Sequence, residues 1–187
     1  MIIESLTNTS SAAWVGLFGV LFGSLLTTFG VWLTNNANAK RQKQQLEHEE
    51  RLSSQKIKKE RLEELYILVC HWGNLFFEQY LSLQLVMDGH VTYNDHLEKT
   101  GAKDLGGFDF SRMEMIIDIY GAQLEPAYEE VKAARSVINE VNAAHKFAYK
   151  RGQPADMFKS PADSAQREFR SACDELKRVI SEAARAA

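Results

Sequence analysis

Few residues in this chain are spaced for chemistry. Cys70 and His71 are neighbours, and a thiol beside an imidazole is the raw material of a nucleophile–base pair. On a helix, however, adjacent side chains point about 100° apart and do not meet. An inert, buried thiol is the simpler expectation. His71, Asn74 and Glu78 recur at steps of 3 and 4, with Ser82 four further on, so they line one face of a helix. That face reads as a solvated or partner-facing strip rather than a buried polar site. His90, Asp95, His96 and Asp104 carry side chains that bind metals, but their spacing matches no ligand pattern, and a polar loop is expected. His145 falls on an apolar seam, the position of a core histidine with its hydrogen bonds satisfied. The chain has no Gly-rich phosphate loop, H-E-x-x-H, nucleophile elbow or kinase signature. The expectation is a protein that is not an enzyme and holds no cofactor and no metal.

The most ordered spacing belongs to small residues. Ala12, Gly16, Gly19, Gly23, Thr27 and Gly30 follow steps of 4, 3, 4, 4 and 3 and form one stripe. Gly19 and Gly23 make a G-x-x-x-G pair, and Gly16, Gly23 and Gly30 recur every seven residues. Small residues let helix backbones approach inside a bilayer, where lipid offers no hydrophobic drive between helices. Gly16, Gly19, Gly23, Thr27 and Gly30 are therefore the expected contact with a second copy or with another membrane helix.

The element that positions this stripe is the run Ala12 to Leu33, which holds no charged residue. At about 1.5 Å per residue it is long enough for a hydrocarbon core of about 30 Å. Trp14 and Trp32 stand near its ends, where amphipathic rings favour the headgroup boundary. A single transmembrane helix over residues 12–34 is expected, after a short extracytoplasmic tail at 1–11. The tail lacks the basic region of a secretory signal, although Ala37-Asn38-Ala39 resembles a cleavage site and Asn8-Thr9-Ser10 a glycosylation sequon. From Lys40 to Arg61 there are eight Lys/Arg against four Glu, whereas residues 1–11 contain no Lys or Arg. The positive-inside rule then puts the amino terminus outside and the rest of the chain in the cytoplasm.

Residues 35–61 read as a basic, polar helical stalk. Leu46, Leu52 and Ile57 are too irregular for a strong coiled coil. Residues 62–187 read as a cytosolic antiparallel helical bundle, so the fold class is all-α. Its first helix, Leu62 to Met87, is broadly apolar and ends at Asp88-Gly89. A second span is the rival reading, opposed by Glu78 near the middle. His90 to Asp109 is expected to be a loop. Ser111 and Glu114 suggest a capping box for a short helix to Tyr120, with Phe110 and Met115 as a staple. Leu124, Ala127, Val131, Ala134, Ile138, Val141, His145 and Ala148 form the most regular seam in the chain. Ser160 and Pro161 look like the cap and first residue of a last helix, whose seam is Ala165, Phe169, Ala172, Leu176, Val179 and Ala183.

Net charge is −3, with the basic residues gathered after the span, which argues against nucleic acid as a partner. Cys70 and Cys173 lack disulfide or zinc spacing and read as reduced thiols. The pattern Arg112-x-x-Met115-x4-Tyr120-x3-Leu124-x-Pro126-x-Tyr128, behind a span and a basic stalk, resembles uncharacterised small bacterial membrane proteins with one span and a helical tail. Gly121 and Ala122 depart from that pattern, where a bulkier pair is expected. The resemblance implies a bacterial inner membrane and no enzyme activity. Taken together, the expected protein self-associates through its span and offers the bundle to a cytosolic protein partner. Arg112, Tyr120, Tyr128 and the segment Gly101 to Phe110 are the candidate contact region. The alternative is an oligomeric membrane effector, of a phage-defence or toxin type, that perturbs the bilayer.

Overall fold

The computed structural model describes residues 11–102 and 108–187 of the chain. Residues 1–10, with the Asn8 sequon, and 103–107, with Asp104, lie outside them. The described residues form five α-helices and no strand, so the all-α expectation holds. Helix α1 spans Ser11–Met87, α2 Tyr93–Ala102, α3 Phe110–Tyr120, α4 Glu125–Lys150 and α5 Lys159–Arg185. Short 3-10 turns at Ala122–Leu124 and Asp156–Phe158 lead into α4 and α5. The span, stalk and first bundle helix read from the sequence are thus one uninterrupted helix. No Gly or Pro breaks it between Asn35 and Trp72.

Contacts divide the chain into two units, Met1–Ser53 and Ser54–Ala187. In the first unit every large apolar side chain from Trp14 to Leu33 is exposed. The second unit has a core. Leu62, Leu65, Val69, Trp72 and Phe76 of α1 are buried against Met113, Ile116 and Ile117 of α3, Tyr128, Val131 and Ile138 of α4, and Phe169, Cys173, Leu176 and Ile180 of α5. Leu62–Met87 therefore contributes one face of the second unit's buried core. Its helical stripe buries about every third or fourth residue, as a bundle face does.

α4 and α5 pack together along much of their length, through facing residues that are mostly small. Ala133, Ala134 and Val137 lie across from Ser171 and Ala172, while Ile138 and Val141 lie across from Ala162 and Ala165. Rising numbers on α4 thus meet falling numbers on α5, so the pair is antiparallel. α1 is joined to them by larger groups. The Trp72 ring lies 5.5 Å from Phe169 and 6.4 Å from Tyr128, and Phe76 lies 4.7 Å from Phe169.

Several local expectations are corrected. The segment His90 to Asp109 is not all loop, for Tyr93–Ala102 is helical. Its start is a reciprocal cap: Asp95 Oδ2 accepts from the Thr92 backbone N–H at 2.8 Å, and Thr92 Oγ1 accepts from the Asp95 N–H at 3.2 Å. α3 is capped by Asp109, whose Oδ1 accepts from the Arg112 N–H at 2.9 Å, rather than by Ser111. Glu114 is thereby left to bond elsewhere, and Phe110 packs edge-to-face on Trp72 while Met115 stays exposed. α5 begins one residue before Ser160, with no side-chain cap. Gly89, at φ +74°, turns the chain out of α1 where other residues would be strained. Gly121 meets a different need: a Cβ there would stand 2.7 Å from Leu124 Cδ1.

Phe169 is fully buried and touches two aromatic rings of α1. Phe169→Ala should destabilise the bundle by about 3–5 kcal/mol. Thermal unfolding of the full-length protein in detergent, followed by near-ultraviolet circular dichroism, measures this. A loss below about 1 kcal/mol would contradict the packing described.

Candidate functional site

The small-residue stripe is uncovered in a single chain. A Cβ built on Gly16, Gly19, Gly23 or Gly30 meets no heavy atom within 4 Å beyond the helix's own backbone and immediate neighbours. Around the same helix Val15, Val20 and Leu26 are each 72% exposed. The hydroxyls on this segment are turned inward to the backbone. Ser24 Oγ donates to the Leu21 carbonyl at 2.9 Å, and Thr27, Thr28 and Thr34 donate to carbonyls four residues back at 2.8 Å. That arrangement satisfies polar groups without water, the requirement an apolar solvent imposes. α1 is one helix long and apolar enough to cross a membrane.

The second candidate region brings its residues together in a different way from the one expected. Arg112 of α3 reaches across to α1, where its Nε donates to Glu64 Oε1. Glu64 also takes a hydrogen bond from Arg61 Nη1 at 2.8 Å. The Arg112 guanidinium, aided by Arg61, holds the Glu64 carboxyl below its ordinary range. Tyr128 is only 5% exposed. Its hydroxyl donates to Glu114 Oε1 at 3.2 Å, and Lys132 Nζ sits 4.7 Å from its ring centre. Burial, with Glu114, pushes the Tyr128 phenol up. Tyr120 is half-buried and packs on the core. Phe108 and Phe110 fold onto Trp72, so the end of the segment Gly101 to Phe110 belongs to the core as well. Arg112 and Tyr128 thus brace the bundle, and Arg112 and Tyr120 keep part of their surface for contact.

The residues proposed for chemistry are dispersed. His71, Asn74 and Glu78 are exposed, as a solvated strip should be. Asp95 caps α2, His96 Nδ1 lies 2.9 Å from Ser82 Oγ, and His90 is exposed. Among the described residues no group of three or more His, Cys, Asp or Glu is placed to hold a metal ion. Cys70 is half-buried and Cys173 buried, both as free thiols, and burial pushes the Cys173 thiol up to about 12. His145 is fully buried as expected, but both ring nitrogens lack a hydrogen-bond partner, which corrects the reading of a satisfied core histidine.

Two features escaped the sequence. One is an open groove of about 420 Å³ between α1 and α5, lined by Cys70, Gly73, Asn74, Phe77, Arg170 and Lys177. Beside it Tyr66, Ile67, Phe77 and Leu81 of α1 stay exposed, Ile67 by 67%. Their helical spacing was legible, but the broad apolarity of Leu62–Met87 hid which side α3, α4 and α5 would leave bare. The other is a polar tie at the groove's far end. Tyr80 Oη donates to Asp163 Oδ1 at 2.6 Å, and Gln84 Nε2 donates to both partners.

Burial, followed by the bond to Asp163, pushes the Tyr80 phenol up to about 12. An unfolded phenol ionises near pH 10, so the folded state keeps this proton longer. Stability from the tie is therefore present below pH 10 and lost as pH rises from 10 to 12. Tyr80→Phe should flatten that alkaline loss in denaturant titrations at a series of pH values. Equal slopes for both proteins would contradict the tie.

No family model matches the chain, and searches of curated proteins and of solved structures returned no match, so geometry alone carries the functional reading.

Proposed function

We propose that the protein is a non-enzymatic, single-span protein of the bacterial inner membrane that self-associates through its span and presents a cytosolic helical bundle to a protein partner. The observation that carries this reading is the segment from Trp14 to Leu33. It is apolar on every side, exposed on every side, and has its hydroxyls bonded to its own backbone. In water such a surface would aggregate, whereas in lipid it is at rest. The Lys/Arg of residues 40–61 support an amino terminus outside and a bundle inside.

Self-association is supported by the bare stripe of Gly16, Gly19, Gly23, Thr27 and Gly30. The room above it accommodates a second helix backbone. The partner-facing role rests on the bundle, through Arg112, Tyr120 and the apolar side chains Tyr66, Ile67, Phe77 and Leu81. Exposed apolar side chains grouped on one helix mark a contact surface more than a catalytic one.

Gly23 belongs both to the G-x-x-x-G pair and to the seven-residue glycine series. Gly23→Ile places a branched side chain where two backbones meet and should weaken span association by about tenfold or more in a reporter assay for membrane-helix pairing. Leu21→Ile, off the stripe, should change it less than twofold. Equal signals from both variants and the parent would contradict association through the glycines.

Orientation has its own test. A carboxyl-terminal fusion to a phosphatase that is active only outside the cytoplasm should stay silent in cells. Strong activity would reverse the proposed topology.

A further inference from the structure

His145 is the one histidine among the described residues that is completely buried, and neither ring nitrogen has a hydrogen-bond partner. A neutral imidazole carries one donor and one acceptor, and leaving both unpaired in a core is costly. The ring is enclosed by aromatic groups. Tyr93 of α2 lies 5.7 Å away and Phe158, before α5, lies 5.4 Å away. This is a second, smaller core, formed by Leu83, Val86, Met87, Tyr93 and Ala162 with Phe158 and Val141 beside them.

α2 is held to the bundle at this place. Tyr93 is its buried anchor, with its ring 5.1 Å from Tyr149 and its backbone N–H donating to Tyr149 Oη at 3.3 Å. His96, one turn on, is half-buried and lies 5.5 Å from Tyr93, ring to ring. The titratable groups facing His145 are thus Tyr93 and His96 from α2 and Tyr149 from its own helix. The charged groups on the adjoining elements are Asp88 at the end of α1 and Asp156 and Lys159 before and at the start of α5. Lys159 bonds Asp88 at 2.8 Å and Asp156 at 3.4 Å, so these charges are spent on one another. Among the described residues no carboxylate accepts a proton from the His145 ring.

We propose that His145 is an acid-sensitive latch, whose protonation releases α2 from the bundle while the larger core stays folded. A charged imidazole in this apolar cage would have neither water nor a counter-ion, and the protein relieves that only by opening. α2 is the short element on the cage wall, held there by the buried Tyr93 ring, the Tyr93 N–H bond to Tyr149 and the His96 contact with Ser82. The larger core around Trp72 and Phe169 contains no histidine, and His71 beside it is exposed.

The sign follows from the same burial. Burial first, then the nearby His96, hold the His145 imidazole below its ordinary range, and burial does the same for His96. The open state, with ordinary histidines near pH 6.5, therefore binds protons before the closed state does. Closure is complete above pH 6.5 and weakens as pH falls below it, by up to about tenfold per pH unit for each histidine. Among the described carboxyls beside the latch, ion pairing keeps Asp88 and capping keeps Asp95 below their ordinary range, so neither titrates in this window.

Hydrogen exchange of the full-length protein in detergent micelles, corrected for the intrinsic effect of pH, tests the latch. Between pH 7.5 and 5.5, protection over residues 93–102 should fall by about tenfold or more, while residues 62–76 keep theirs. His145→Leu, which fills the cage with an apolar side chain, should remove the share of that fall due to His145 and leave only the share due to His96. A matching fall in His145→Leu, or a parallel fall over residues 62–76, would overturn the proposal. Should His145→Leu fail to fold, the His145 ring proton resonance of the parent protein decides. Titration well below 6.5, in step with shifts in α2, supports the latch, and titration at the ordinary value with α2 unmoved overturns it.

Discussion

The structure depends on a change of surroundings along α1. From Trp14 to Leu33 every large apolar side chain of the helix is exposed. From Leu62 onward one face is fully buried, with Trp72 at its centre. Trp72 touches Phe76, Phe108, Phe110, Tyr128 and Phe169, so α1, α3, α4 and α5 and the chain before α3 all converge on one ring. Aromatic rings bury large areas and prefer the edge-to-face contacts that recur here. Among the described residues the indole Nε1 gains no hydrogen bond in exchange, so apolar burial must outweigh a stranded donor.

Polar contacts set register around that core. Arg112 and Glu64 tie α3 to α1 near the start of the buried stripe, and Tyr80, Gln84 and Asp163 tie α1 to α5 further on. Lys159 and Asp88 fasten the start of α5 to the end of α1. Each is at least partly exposed, so each contributes less energy than direction. The α4–α5 pair needs no such device. Its small facing residues bring the two backbones close, while the aromatic groups of α1 hold it further off and leave the groove beside Phe77. Tight packing on one side and bulky packing on the other follow from residue size alone.

Much of this was legible in the chain. The seam from Leu124 to Ala148 is the inner face of α4, and Asp88-Gly89 ends α1. Both signals are local and unopposed. Misreadings arose where two local signals competed. Gly101 and neighbouring polar residues suggested a loop and masked the Thr92/Asp95 cap that starts α2. Ser111 looked like a cap, yet Asp109 stands two residues earlier and starts the helix sooner by accepting from the Arg112 N–H. The candidate site was less legible than the fold. Tyr128 has the composition of a surface contact, but its depth in the core depends on α1, more than forty residues away in sequence. His145 was placed correctly on its seam, while the lack of a partner for its ring depends on what α2 and Phe158 bring to it.

The proposed function divides the chain between a segment suited to lipid, by its length and apolarity, and a bundle that needs none. Expressing residues 54–187 alone tests this most directly, by circular dichroism, cooperative unfolding and partition into vesicles. The account predicts a soluble, mostly helical domain that unfolds in one transition and stays out of the lipid phase. Little helix in water, or recovery of the fragment only with membranes, would contradict it and return Leu62–Met87 to the bilayer.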